Sequence, residues 1–132
     1  ARGLMQLMPK TGRITARRYS IPLGDLGKLY DADKNISIGT AYLNQVMEDY
    51  KRNVVLASAA YNAGPHRVKR WLPEEGRLQA EQWIANVPFD ETRNYIQRIL
   101  AYSAIYDWRM DLPITALDEQ MPDIYPDEHY RE

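Results

Sequence analysis

The sequence contains no cysteine, so neither a disulfide framework nor thiolate chemistry is open to it. That absence fits an oxidising envelope compartment without requiring one. Histidine occurs only as His66 and His129, isolated and without ligand spacing, so no metal site is expected. No apolar run approaches the ~18–20 residues that span a bilayer. No secretory signal is visible, and with Ala1 rather than methionine in first place that absence carries no information. Neither charge sign dominates, with 17 basic and 18 acidic residues and a net charge of -1. A polyanionic partner is therefore not indicated, and nucleic acid is not expected. The basic segment Arg13–Arg18 also lacks the interleaved aromatics that stack on bases. Alternating apolar and polar runs around Asn-Gly or Asp-Gly turns are missing too, which removes the usual signs of a sheet.

What remains is helical punctuation. At 132 residues, 45% hydrophobic and 27% charged, the chain is long enough to bury a core without staples. Pro9 opens a helix expected to run to about Tyr19. Residues 21–31, with Pro22, Gly24 and Gly27, read as a loop. Asp33 is the expected N-cap of the next helix, whose buried stripe is read as Ile36, Thr40, Leu43, Met47 and Tyr50. The run VVLASAAY at 54–61 predicts a central helix that small residues let neighbours approach, stopped by Asn62 and Gly64. Pro65 starts a short helix to Leu72, and 80–87 forms another. The longest helix spans Asp90 to about Trp108, with Ile96, Ile99, Leu100, Ser103 and Tyr106 as its main stripe and Tyr95 and Tyr102 widening it. Pro113, Pro122 and Pro126 break any long helix after Asp111, so 111–132 reads as an acidic, proline-containing tail lying on the domain or partly disordered. Charge is lopsided: residues 1–20 carry five basic and no acidic side chains, and 111–132 carry seven acidic ones against Arg131. A solvated helix face and an acidic tail account for this, as does a weak attraction between the ends or of the basic face for an anionic polymer. The fold class is all-α.

Three segments carry candidate chemistry. In Gly3-Leu4-Met5-Gln6-Leu7-Met8-Pro9 the amide of Gln6 either satisfies backbone or meets a polar ligand. In Ala60-Tyr61-Asn62-Ala63-Gly64 a tyrosine and an asparagine sit at a helix end, as a cap with a core ring or as a close approach to a ligand. In Pro88-Phe89-Asp90-Glu91-Thr92-Arg93-Asn94-Tyr95 the acids complement a helix dipole, or Glu91 and Tyr95 face a cleft.

GLMQ leading into LMP, then AYNAG, then ETRNY, in this order and joined by NISIGTAYL, resembles the soluble lytic transglycosylases and, more distantly, the goose-type lysozymes. The resemblance runs from Ala1 to about Trp108. It implies a lysozyme-like helical domain over 1–110, with the tail at 111–132 outside it. It also implies cleavage of the β-1,4 bond between N-acetylmuramic acid and N-acetylglucosamine in peptidoglycan, closing a 1,6-anhydro ring instead of adding water. One glutamate acts first as acid and then as base, unlike the paired carboxylates of most glycosidases. By resemblance Gln6 and Met8 line the glycan cleft, Tyr61 and Asn62 sit beside the reacting sugar, Glu91 contacts saccharide and Tyr95 completes the pocket. No cofactor and no metal are implied. The partner is the peptidoglycan glycan strand, and the setting is the bacterial envelope, in the periplasm. The family's catalytic glutamate belongs to a Glu-Ser motif a short way upstream of GLMQ. The sequence starts one residue before Arg2-Gly3, so it is read as truncated, with no catalytic glutamate of its own and no activity alone. The alternative is a module that grips glycan without cutting it. Oligomeric state, and cleavage from strand ends or within strands, stay open.

Overall fold

A computed structural model describes residues 1–131. Eight helices occur among them: α1 (Pro9–Arg18), α2 (Ala32–Asp49), α3 (Val54–Ala63), α4 (Pro65–Trp71), α5 (Ala80–Asn86), α6 (Asp90–Arg109), α7 (Leu117–Gln120) and α8 (Asp127–Tyr130). No β-strand occurs among the described residues, only two isolated antiparallel bridges, Arg2 with Leu7 and Leu78 with Ile124. No described helix is long and apolar enough to cross a membrane. The chain divides into two compact units, Ala1–Gln45 and the part from Val46 onward.

In the first unit, Leu7, Ala16, Leu29 and Ile38 form the core, with Met5, Ile21, Leu23, Leu26 and Tyr42 packed against it. Part of the expected loop is instead a 3-10 turn, Leu26–Tyr30. The Asp25 side chain caps it by accepting from Gly27 N, and the turn drives Leu29 to complete burial. The cap of α2 is also displaced from the expected Asp33. Asp31 Oδ1 accepts from Lys34 N at 3.1 Å, which leaves Asp33 in the first turn, where its charge suits the helix dipole. The expected stripe of α2 holds only towards its end, where Met47 is half-buried and Tyr50 buried. Ile36 and Leu43 are 44% and 40% exposed, whereas Asn35, Ile38 and Val46 are fully buried. The buried face is rotated because an asparagine, not an apolar residue, occupies its first position.

In the second unit, Asn53 Oδ1 accepts from Leu56 N at 3.1 Å and starts α3. Every residue from Val55 to Ala60 is buried, and α3 packs against α4 and α6. The Trp83 indole is buried and donates to Trp71 O at 2.9 Å, joining α5 to the end of α4. On α6, Thr92, Ile96 and Leu100 are buried, but Tyr102 and Tyr106, expected in the stripe, are mostly exposed. The reason is length: α3 has 10 residues and α6 has 20, so at 1.5 Å per residue α6 outruns its partner by about 15 Å.

The residues after Asp111 include two single-turn helices, α7 and α8. Gln120 Nε2 donates to Ser103 Oγ at 3.0 Å. Leu78 and Ile124 exchange backbone hydrogen bonds of 2.8 and 2.7 Å, and Ile124 is fully buried. Tyr130 meets Tyr50 edge-on at 5.7 Å. Two of the tail's acids pair within the unit, Asp123 with Arg77 at 3.6 Å and Asp127 with Lys69 at 3.8 Å.

Candidate functional site

The first candidate segment is a closed loop. Arg2 N donates to Leu7 O at 2.8 Å, Leu7 N returns to Arg2 O at 3.0 Å, and Gln6 N donates to Gly3 O at 3.1 Å. Gly3 and Gln6 both take left-handed backbone angles, φ 69° and 49°. Glycine is required at position 3 on two counts. Its φ disfavours a side chain, and a Cβ there would lie 2.3 Å from Asn35 Nδ2. The loop is fixed from below by the buried Asn35 of α2. Its Oδ1 accepts from Met5 N at 2.7 Å, and its Nδ2 donates to Arg2 O at 2.8 Å and Leu29 O at 2.9 Å. Sequence reasoning assigned Asn35 no role; the available signal was an amide breaking an otherwise apolar helix face. Gly39, one turn further along α2, makes room for Met5, whose Cβ would be 2.6 Å from any Cβ at that position.

With its backbone held this way, the loop buries Leu7 and leaves Leu4 and Met8 exposed. Gln6 is exposed, and its Nε2 donates to Gly3 O at 2.8 Å. One half of its amide therefore satisfies backbone, while its carbonyl oxygen carries no hydrogen bond among the described residues.

In the second unit, AYNAG and ETRNY meet. Thr92 Oγ1 donates to Asn62 Oδ1 at 2.8 Å, linking the last turn of α3 to the first turn of α6. Thr92 is 1% exposed and Asn62 is half-buried, so this bond is partly shielded from water. Tyr61 and Asn62 are half-buried on one side of the link, and Tyr95 is half-buried one turn along α6. Burial pushes the Tyr95 hydroxyl above its ordinary pKa, with the nearby Arg98 charge opposing the shift. Glu91 precedes Thr92 and therefore faces outward. It opens a groove of about 510 Å3 along α6 that Asn94, Gln97, Arg98 and Ala101 continue. Tyr61 and Asn62 do not line that groove. Gln6 and Met8 belong to the first unit.

The start of α6 is itself braced. Arg93 donates to Val87 O and pairs with Asp90. Phe89 stands edge-on to Trp71 at 5.2 Å, with the Arg67 guanidinium over its ring at 4.8 Å. Asp90 is thus an ion-pair partner as well as a dipole complement. No group of three or more potential metal-ligating side chains occurs among the described residues.

The family model described as Transglycosylase SLT domain matches residues 1–84, and that described as Soluble lytic transglycosylase helical domain matches 86–113. The chain is 46% identical over 112 residues to a soluble lytic murein transglycosylase of Escherichia coli K12, covering 83% of the chain and 17% of that protein. It is 43% identical over 107 residues to a putative soluble lytic murein transglycosylase of Haemophilus influenzae, covering 80% and 18%. Among solved structures, an inactive glutamate-to-glutamine mutant of the lytic transglycosylase Slt from Pseudomonas aeruginosa superposes with a TM-score of 0.82 at 45% identity, over 95% of the chain and 20% of that structure. The 70-kDa soluble lytic transglycosylase in complex with bulgecin A gives 0.80 at 37% identity, over 93% and 20%. The chain spans about a sixth of the length of the curated relatives it matches.

Proposed function

The chain belongs to the transglycosylase SLT domain family, its fold helical and lysozyme-like, and from that premise we propose that it serves a murein lytic transglycosylase. The reaction is cleavage of the N-acetylmuramic acid–β-1,4–N-acetylglucosamine bond with closure of a 1,6-anhydro ring. The glycan-handling part is residues 1–110, and 111–132 is an appended tail. Gln6, Met8, Tyr61, Asn62, Glu91 and Tyr95 contact the strand. The setting is the bacterial envelope, on the periplasmic side, and the partner is peptidoglycan.

The observation that carries this reading is the part-buried Thr92–Asn62 hydrogen bond. It ties the AYNAG motif to the first turn of α6, the turn that carries Glu91, and the groove from Glu91 continues in amides and a guanidinium. Amides and carboxylates take sugar hydroxyls and acetamido groups, while tyrosine and methionine take the apolar faces of the rings.

Cutting needs a proton donor that these residues do not provide. An inactive relative altered from glutamate to glutamine supports a mechanism that turns on one carboxyl group. The 132-residue sequence holds no Glu-Ser pair, and Glu91 has a binding role. General acid catalysis contributes ~10²–10⁴-fold, and the same group must also act as base in ring closure. Residues 1–132 alone therefore bind chitin-type oligosaccharides weakly and release no 1,6-anhydromuropeptides from purified peptidoglycan. A chimera with a relative's Glu-Ser segment placed before Ala1 releases them, as read by mass spectrometry of the soluble products. Anhydro products from residues 1–132 that persist in Glu91→Gln would overturn the single-glutamate mechanism. If Glu91→Gln abolished them, Glu91 would be the acid.

A further inference from the structure

A second groove, of about 620 Å3, lies in the first unit between α1 and the segment leading into the 3-10 turn. It shares no residue with the proposed glycan contacts. Its floor is aliphatic: Ile21, Leu23 and Leu26 are packed against the unit's core, so they form a settled surface. Arg13 and Arg17 line it one helical turn apart, the spacing at which two side chains share a helix face. Both are exposed, and the structure gives neither guanidinium a hydrogen bond or an ion pair among the described residues. Adjacent cations without a counter-ion oppose folding slightly, which is a reason to ask what neutralises them. Across the groove Asp25 supplies a carboxylate, one oxygen of which already accepts from Gly27 N.

These groups define a ligand. A guanidinium fork takes a carboxylate through two parallel hydrogen bonds. The Asp25 carboxylate takes an ammonium and disfavours a polyanion. The aliphatic floor takes short branched or methyl side chains. No aromatic side chain lines the groove, so neither sugar faces nor bases have a platform there. We propose that this groove is a binding site for short aliphatic peptides carrying both a free carboxylate and a free amine. On the function proposed above, the source is the peptide that murein attaches to its glycan, and the site reads the wall's peptide while α6 reads its sugar.

Calorimetric titration of the 132-residue chain tests this with the sugar-free tripeptide L-alanyl-γ-D-glutamyl-diaminopimelate. Arg13→Gln/Arg17→Gln weakens its binding at least tenfold, whereas Lys10→Gln/Arg18→Gln, an equal loss of charge outside the groove, changes it less than twofold. Asp25→Asn, which keeps a capping oxygen, weakens the tripeptide but not its fully N-acetylated form. Circular dichroism confirms that each variant folds. The site is refuted if the tripeptide does not bind, if the two double variants lose affinity equally, or if inorganic phosphate binds as tightly as the peptide. Chitotetraose titrated in parallel reports on the glycan reading alone. Its binding depends on Glu91 and is indifferent to Arg13→Gln/Arg17→Gln, so a failure there leaves the peptide result interpretable.

Discussion

Asn35 shows how much one side chain can organise. Three hydrogen bonds converge on its buried amide, two from the loop at Arg2 and Met5 and one from Leu29 O in the 3-10 turn. Asn35→Ala leaves an N–H and two carbonyls without that partner, and stranded buried groups of this kind cost about 1–3 kcal/mol each before relaxation. Chemical denaturation is expected to show a loss of about 2–4 kcal/mol, and a loss below about 0.5 kcal/mol would mean that water replaces the amide freely. Asn35→Asp keeps the acceptor for Met5 N but turns an oxygen towards two carbonyls, so it should be the more damaging change. This residue was not legible in the sequence. An amide inside a helix reads as solvent-facing, so Ile36 and Leu43 were assigned to the core and the stripe was turned away from its true direction. By contrast, the proline that ends the same loop was legible, because backbone chemistry fixes its meaning locally.

At the level of elements, the helices set by punctuation were readable, and faces set by partner length were not. Pro9, Pro65 and Gly64 mark ends that occur where expected, and the small-residue run of α3 foretold its burial. Nothing in the periodicity of α6 could announce that its partner stops halfway, so Tyr102 and Tyr106 were read as buried. The 3-10 turn was hidden by the glycines and proline before it, its only local sign being Asp25 two residues ahead of Gly27. The junction of α3 and α6 can be probed directly. Asn62→Ala and Thr92→Val each remove one end of the same hydrogen bond, and a double-mutant cycle on unfolding should return a coupling of about 1 kcal/mol. Additive effects would show that the two helix ends are held by packing alone. Loss of oligosaccharide binding in Thr92→Val, a residue that does not itself face the groove, would identify it as a positioning residue.

On the scale of the whole chain, the tail behaves as part of the second unit. Ile124 occupies a fully buried position, and Ile124→Ala should cost about 2–5 kcal/mol, seen as a lower unfolding midpoint and faster proteolysis after Asp111. An unchanged midpoint would mean that the tail contributes nothing to the unit's stability. The contact is also tied to pH. Burial raises the Tyr130 hydroxyl pKa above the ordinary 10.0, the hydrogen bond from Tyr125 N partly offsetting this. The folded chain thus holds this proton more tightly than the unfolded chain does. The stabilisation is complete below the unfolded tyrosine's value and disappears as pH rises through the higher folded value. Proteolysis of the tail should therefore accelerate above about pH 10, and in Tyr130→Phe that alkaline step should shrink. Sequence reasoning recognised the tail's prolines and acids, and left open whether it was docked. It could not see the docking because Ile124 and Tyr130 find their partners at Leu78 and Tyr50, far back along the chain.

That long return has a consequence for synthesis. The first unit draws its core from Leu7 to Ile38, so that core can form once Ile38 has left the ribosome. The second cannot close the Tyr50–Tyr130 and Leu78–Ile124 contacts until Ile124 and Tyr130 have emerged as well. In the interval α3, the most apolar helix of the chain, is out of the tunnel without the segment that completes its unit. Nascent chains that fold unit by unit are prone to aggregate while such surface waits. Stalling the ribosome just before Ile124 should yield chains whose first unit resists protease while their second unit is cut, and whose dependence on chaperones ends once the segment through Tyr130 has emerged.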